Sequence, residues 1–161
     1  MVISHYCSVF FVYYQFKVIF RNGVIGMAQN KEKVLTIITN NPLVKSESIL
    51  TEHTTLFFSD LNKVLTKARD LIHQGYKLIT HPLAGSVKPW ANPYRTIVLE
   101  EGNQLDLRSL EIMEGSLQKY KQFENDLEKN LSEKTNESVR QDYQLIDYDL
   151  IKELIKNVRS I

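Results

Sequence analysis

The sequence predicts an α/β protein: a small three-layer sandwich with a mainly parallel, Rossmann-like sheet of about four strands, plus C-terminal helices. Two observations underlie this prediction. Residues 33–39, KVLTIIT, form a nearly continuous apolar run, which is typical of a strand buried on both faces. Further along the chain, a helical pattern stands directly between two strand-like runs, which is the order of a βαβ unit.

Four strands are expected between residues 33 and 100. The first strand, at residues 33–39, ends at Asn40-Asn41-Pro42, because proline disfavours helix at the residue before it and suits the first position of a helix. Residues 42–48 are therefore predicted to form a short helix or a turn. The other strands are predicted where β-branched and aromatic residues are concentrated, at residues 54–58, 76–80 and 95–100.

The clearest helix is predicted at residues 59–74. Ser59 is a suitable N-cap, and the carboxylate of Asp60 suits the positive end of the helix dipole. Gly75 is predicted at the C′ position, where helices commonly end in a left-handed conformation. Six apolar residues at helical spacing form one stripe: Leu61, Val64, Leu65, Ala68, Leu71 and Ile72.

The direction of the last strand is left open by the sequence. Only the loop at residues 81–94 precedes the strand at residues 95–100. A parallel crossover usually needs a dozen or more residues and often contains a helix. Antiparallel pairing at an edge of the sheet is therefore as well supported as parallel pairing.

The C-terminal part is predicted to be helical. A helix capped by Asp106 or Ser109 follows the last strand, and its first part is expected to pack on the sheet. Residues 132–142, SEKTNESVRQD, are polar and are predicted to form a linker. A short amphipathic helix is predicted at residues 149–158, docking on the body of the protein or on another subunit.

Residues 1–26 are an extension with a different composition, rich in aromatic and β-branched residues. A transmembrane helix needs about 18 or more nearly uncharged apolar residues, and two basic residues interrupt this run. We expect translation to begin at Met27; membrane association is the alternative if the extension is translated. The chain is accordingly divided into this extension, an α/β domain at residues 27–121, and a helical tail with a polar linker at residues 122–161.

Composition and missing motifs narrow the possible functions. The chain has 20 basic and 19 acidic residues, a balance that gives no electrostatic reason to expect nucleic acid. Its single cysteine, Cys7, permits neither an intrachain disulfide nor a cysteine-based zinc site, which fits a reducing cytoplasm. Dinucleotide, Walker-type and nucleophile-elbow signatures are missing, and the four histidines have no metal-ligand spacing. We predict no cofactor, no metal, no catalytic residues, and no nucleic-acid or membrane partner.

The candidate ligand site lies in two loops, because ligands of open α/β sheets bind beyond the carboxyl ends of the strands. The loops at residues 39–42 and 80–89 offer amides, hydroxyls, a histidine and a lysine, which suit a small anionic ligand. Each residue type also has a structural interpretation as a turn former, a strand-end hydrogen bond or a solvated charge. The candidate ligand-binding residues are Asn40, Asn41, His81, Gly85, Ser86, Lys88, Tyr94 and Arg95.

Three stretches carry a family resemblance: ITNNPLV at residues 38–44, VLTKARDLIHQGYKLITHPLAGSVKPWANPYRTIVL at 64–99, and LDLRSLEIMEGS at 105–116. They resemble the GrdX family, small proteins encoded beside the glycine, sarcosine and betaine reductase genes of amino-acid-fermenting anaerobes. The resemblance extends over about residues 34–120, so the tail after Lys121 is expected to lie outside the family pattern. The resemblance marks as motif positions Asn40, Asn41, Pro42, His81, Pro82, Gly85, Ser86, Lys88, Pro93 and Tyr94.

The resemblance implies a cytoplasmic, non-catalytic accessory protein, with subunits of the reductase complex as expected partners. It carries over no catalytic residues. The alternative is an enzyme or sensor that binds a small anionic metabolite at the loops around Asn40, His81 and Lys88. A third interpretation is a homo-oligomer built through the C-terminal helices, and the sequence leaves the oligomeric state open.

Overall fold

The structure is a computed structural model that describes residues 17–21, 24–28, 34–47, 52–84, 92–133 and 136–159. The chain divides into two compact units, residues 1–32 and residues 33–161. In the first unit, β1 (Lys17–Arg21) and β2 (Val24–Ala28) pair antiparallel, with Arg21 opposite Val24.

The described part of the second unit contains a four-stranded sheet and four helices. Its strands are β3 (Leu35–Thr39), β4 (Thr54–Phe57), β5 (Lys77–Leu78) and β6 (Thr96–Glu100). Its helices are α1 (Pro42–Ser46), α2 (Leu61–His73), α3 (Leu107–Glu133) and α4 (Glu137–Arg159). All four predicted strands are present, although β5 is shorter than expected, and their spatial order is β4-β3-β6-β5.

The sheet is mixed, so the prediction of a mainly parallel sheet is wrong, and a Rossmann-like sandwich is not confirmed. β3 pairs parallel with β4, whereas β6 runs antiparallel to both β3 and β5. The described residues between β5 and β6 contain no helix of the kind that usually connects parallel strands. β6 also lies inside the sheet, not at its edge.

Side chains of the two central strands alternate between two hydrophobic clusters on opposite faces of the sheet. Ile38, Ile97 and Leu99 belong to the cluster that includes α2 and α3. Ile37 and Val98 belong to the cluster that includes α1 and α4. Helices therefore cover both faces, and α4 buries part of its surface on the body of the second unit.

The helix predicted at residues 59–74 is confirmed as α2, with one correction at its start. The N-cap is Asp60 and not Ser59, since the carboxylate of Asp60 accepts the N–H of Lys63 at 2.8 Å. Gly75 follows the C-cap with a φ of 101°, the left-handed conformation for which glycine is favoured at C′.

Helix α4 is longer than predicted, whereas α3 begins at one of the two expected caps. Asp106 caps α3, because its carboxylate accepts the N–H of Ser109. Helix α4 already includes residues 137–142, which were predicted to be linker. Asn136 caps α4 by accepting the N–H of Val139 at 3.0 Å. A polar segment without glycine or proline can form a solvated helix once a cap starts it. The polarity of residues 137–142 was therefore not sufficient evidence for a linker, and the start of α4 was predicted too late.

Candidate functional site

The candidate site lies where the end of β3 meets the start of β6. Thr39 and Thr96 are opposite each other in the antiparallel register, so the residues after β3 lie beside those before β6. Asn40 joins these segments: its Oδ1 accepts the N–H of Arg95 at 2.7 Å, and its Nδ2 donates to the Pro93 carbonyl at 2.9 Å. Both the oxygen and the nitrogen of this buried side-chain amide therefore form hydrogen bonds with the backbone of the segment before β6.

Asn41 links α1 to α4. Its Oδ1 caps α1 by accepting the N–H of Leu43 at 3.0 Å. Its Nδ2 donates to the carbonyl of Gln144 at 2.8 Å and to Asp147 Oδ2 at 2.9 Å. The residue is 0% exposed, so these contacts are made away from water. One side chain thus starts the short helix after β3 and holds α4 against it.

Asp147 is the centre of a buried hydrogen-bond network. Its Oδ1 accepts the backbone N–H of Thr96 at 3.0 Å, and its Oδ2 accepts the Thr96 hydroxyl at 2.7 Å. The hydroxyls of Thr39 and Thr96 are 2.7 Å apart, and the N–H of Asn41 donates to Thr39 Oγ1 at 2.9 Å. With Asp147 ionised, the hydroxyl of Thr39 donates to Thr96 and that of Thr96 donates to Asp147. A continuous chain of hydrogen bonds therefore ends at the carboxylate.

Two opposite charges are buried together at this site. Asp147 is 6% exposed and Arg95 is 2% exposed. Burial raises the pKa of Asp147, against hydrogen bonds from Thr96 and Asn41 and the charge of Arg95, all of which favour the ionised carboxylate. Burial also lowers the pKa of Arg95, and the charge of Asp147 opposes that shift. Each group therefore stabilises the charged form of the other in a largely desolvated environment.

A cavity of about 240 Å³ lies beside this network. Its polar wall is formed by Thr80, His81, Arg95, Thr96 and Asp147. Helix α4 contributes an apolar wall from its residues after Asp147. Among the lining residues, His81, Ala84 and Leu150 are exposed, so the cavity wall reaches the surface both at the turn after β5 and on α4.

The structure brings several of the predicted ligand-binding residues together. Asn40, Asn41, Tyr94 and Arg95 meet at the junction of β3 and β6, and His81 lies on the cavity wall. The hydroxyl of Tyr94 accepts a hydrogen bond from Gln144 Nε2 at 3.1 Å, and the Nδ1 of His81 accepts the N–H of Leu83 at 3.1 Å. The remaining candidates, Gly85, Ser86 and Lys88, lie outside the described residues.

Asp147 and the contribution of α4 to the cavity were not predicted from the sequence. A local signal existed, because Asp147 stands on one helical face with Ile151 and Ile155 at steps of four residues. A carboxylate on an apolar stripe indicates a buried charge that needs partners. Thr80 lies in the predicted loop at residues 80–89, although it was not among the candidate residues; Thr96 was missed, since threonine is common in strands and gives no separate signal.

Within the ranges that the structure describes, no group of three or more histidine, cysteine, aspartate or glutamate residues could hold a metal ion. In the same ranges, no helix has the length and apolar character needed to cross a membrane.

A family model described as GrdX-like protein matches residues 36–156 of the chain. The match continues well beyond residue 120, so the expectation that the tail lies outside the family pattern is wrong. No curated protein and no solved structure matches the chain. Because the residues that line the cavity lie between Ile79 and Leu154, the whole described cavity is within the part of the chain that the family model covers.

Proposed function

The chain belongs to the GrdX-like protein family, and on this premise we propose that it is a non-catalytic accessory protein of the glycine, sarcosine and betaine reductase system of amino-acid-fermenting anaerobes. The family match over residues 36–156 is the observation that carries this proposal. Subunits of the reductase complex are the proposed partners, and the cytoplasm is the proposed location.

The contacts of the polar residues support an accessory role over a catalytic one. The carboxylate of Asp147 accepts three hydrogen bonds from Thr96 and Asn41. His81 Nδ1 already accepts a backbone N–H. A general base must reach the proton that it removes, and these acceptors are directed at donors of the protein itself. The Asp147 carboxylate and the Nδ1 atom of His81 are therefore engaged in holding the fold.

Mixing the purified full chain with purified reductase proteins tests the proposal. Size-exclusion chromatography with light scattering should show a complex containing the chain and at least one subunit. An unrelated protein of similar mass, mixed at the same concentration, is the control. Elution of the chain at its own mass with every subunit would contradict the proposal.

A second candidate function is that of a sensor or enzyme that binds a small anionic metabolite, and the cavity beside Arg95 favours it. Arg95 is one of the residues that line the cavity, and arginine is the residue type that suits a carboxylate or a phosphate. His81 lies on the same wall, Asn40 holds the backbone of Arg95, and Lys88 follows in the sequence.

Ligand-dependent stability tests this second candidate. A ligand present at 100 times its Kd stabilises a fold by about 2.7 kcal/mol, which raises the melting temperature measurably. Thermal unfolding of the full chain should therefore shift upward with acetate or phosphate, and His81→Ala should reduce the shift. Identical unfolding curves with and without either anion would contradict anion binding.

A further inference from the structure

We propose that an apolar ridge on α4, formed by Ile146, Leu150 and Leu154, makes up with the adjoining cavity a docking surface for a partner protein. The segment that it takes is an amphipathic helix with one bulky apolar side chain and basic residues along one edge. This inference rests on the proposed accessory function, which requires a protein partner, and it identifies the surface and the chemistry of that partner.

The ridge follows α4 at steps of four residues, the spacing at which side chains of a helix lie one above the other. Ile146 and Leu150 are each 46% exposed, and Leu154 is half-buried. At 1.5 Å per residue the ridge is about 12 Å long, which suits two turns of a helix that packs through the same four-residue rows. Contact with such a helix would remove the exposed part of these side chains from water.

The cavity gives this surface a place for one anchoring side chain. Six of its eleven lining residues are apolar, and Leu150 and Leu154 belong both to the ridge and to the cavity wall. Allowing roughly 30 Å³ for each non-hydrogen atom, similar to the share of a water molecule in the liquid, a volume of about 240 Å³ accommodates one leucine or phenylalanine side chain. Helices that bind in grooves use apolar anchors of this kind.

Two carboxylates along one edge of the ridge indicate the charge of the partner. Asp142 lies one helical turn before Ile146, and Asp149 lies three residues after it, so both are neighbours of the ridge on the helix surface. Both side chains are exposed. Lysine or arginine residues on the edge of a partner helix would lie against them, which speeds association and fixes the orientation of the partner.

The two lysines of α4 do not cancel this charge. Lys156 Nζ is 2.7 Å from Glu153 Oε1, so these two residues neutralise each other. Lys152 Nζ lies 5.6 Å from the centroid of the Tyr148 ring, which is buried in the cluster on the α1 and α4 face of the sheet. The edge of the ridge therefore keeps the negative charge of its two aspartates.

A second copy of this chain fits the surface less well than a different protein does. Antiparallel packing of two ridges about a two-fold axis at Leu150 would bring the Asp149 carboxylates of both copies close to that axis. Like charges in that position repel each other. The surface therefore favours a partner of opposite charge.

Calorimetric titration of the full chain with the purified subunits of the reductase complex tests this inference. Leu150→Glu places a charge on the ridge and should weaken binding at least tenfold. Leu145→Glu is the matched control, because Leu145 is 50% exposed on the same helix, does not line the cavity, and lies about 140° around the helix axis from Leu150. Its affinity should equal that of the wild type, and thermal unfolding checks that both variants are folded.

Charge reversal tests the acidic edge separately. Asp149→Lys should weaken binding about tenfold, and added salt should weaken binding of the wild type more than binding of this variant. Glu114→Lys makes the same change of charge at an exposed position of α3, which covers the other face of the sheet, and should leave the affinity unchanged. Binding of Asp149→Lys at wild-type affinity would overturn the assignment of a basic partner.

The outcomes separate this inference from the function on which it rests. If a subunit binds the wild type and Leu150→Glu equally well, the accessory function stands and the docking surface is wrong. If no subunit binds the wild type, both fail. Light scattering that shows a dimer of the chain alone, converted to a monomer by Leu150→Glu, would assign the ridge to a second copy and overturn the inference.

Discussion

The Asp147 carboxylate on α4 accepts two hydrogen bonds from Thr96, the first residue of β6: the backbone N–H donates at 3.0 Å and the hydroxyl at 2.7 Å. The two residues are 51 positions apart in the sequence. This contact holds α4 in one position against the end of the sheet. It thereby places the apolar wall of the cavity beside Arg95, so the site and the fold depend on the same hydrogen bonds.

Thr96→Val removes a hydroxyl and keeps the shape of the side chain. Asp147 loses a donor and the hydroxyl of Thr39 loses its acceptor, so the free energy of unfolding should fall by about 1–3 kcal/mol. Urea unfolding measures this change. Thr66→Val on α2 is the control, because the Thr66 hydroxyl contacts Asn62 at the surface; it should cost less than about 0.5 kcal/mol. An equal loss of unfolding free energy in the two variants would contradict the proposed contribution of the buried network to stability.

Asn41→Ala should cost more than the loss of a helix cap. Removal of a capping asparagine costs about 0.5–2 kcal/mol, and the acceptor atoms left buried and unpaired at Asp147 and Gln144 add about 1–3 kcal/mol. Asn136→Ala is the matched control, since Asn136 caps α4 at an exposed position and should cost only about 1 kcal/mol. Chemical denaturation measures the unfolding free energy of both variants. Similar decreases in the two variants would contradict the proposal that Asn41 stabilises the protein through its contacts with α4.

Stability should depend on pH through Asp147. Burial raises its folded-state pKa above the ordinary value of 3.8, so the folded protein binds this proton more tightly than the unfolded chain does. The resulting contribution to stability is fully present below the unfolded pKa, and it is lost as the pH rises through the folded pKa.

Urea unfolding of the wild type and of Asp147→Asn, compared between acidic and neutral pH, measures this effect. Other titrating groups contribute similarly to both proteins, so the difference in unfolding free energy, wild type minus variant, should fall as the pH rises. A difference that grows with pH would show that the fold favours the ionised carboxylate over the protonated one.

Ile155→Ala tests whether α4 docks on the body of the protein. Ile155 is 1% exposed within the cluster on the α1 and α4 face, so its truncation should cost about 2–5 kcal/mol. Ile146→Ala is the same substitution at a residue of α4 that is 46% exposed, and its cost should stay below about 0.5 kcal/mol. Thermal unfolding measures the midpoint of each variant. Equal midpoints would mean that Ile155 does not pack in this cluster.

Local patterns were sufficient to place the strands and α2. The nearly continuous apolar run at residues 33–39 indicates a buried strand by itself, and the stripe from Leu61 to Ile72 has helical spacing. The direction of β6 could not be predicted in this way, because it depends on the path of the chain between β5 and β6. A loop of that length can lead into a strand that pairs either parallel or antiparallel with its neighbours, so the length of the loop does not determine the direction of β6.

Local sequence patterns also could not predict the hydrogen-bond network at the centre of the candidate site. Asp147 receives hydrogen bonds from Asn41 and Thr96, which are 106 and 51 positions away in the sequence. The position of Asp147 on an apolar stripe indicates burial but does not identify its partners. The asparagines after β3 were selected as ligand-binding candidates, yet their amide groups are engaged with Arg95, Pro93 and α4.

Affinity purification of the tagged full chain from cells fermenting glycine tests the proposed accessory function without any prior choice of partner. Subunits of the reductase complex should co-purify in stoichiometric amounts and be missing from a control with the tag alone. Recovery of the chain without any reductase subunit, from cells in which the reductase is active, would contradict the accessory function.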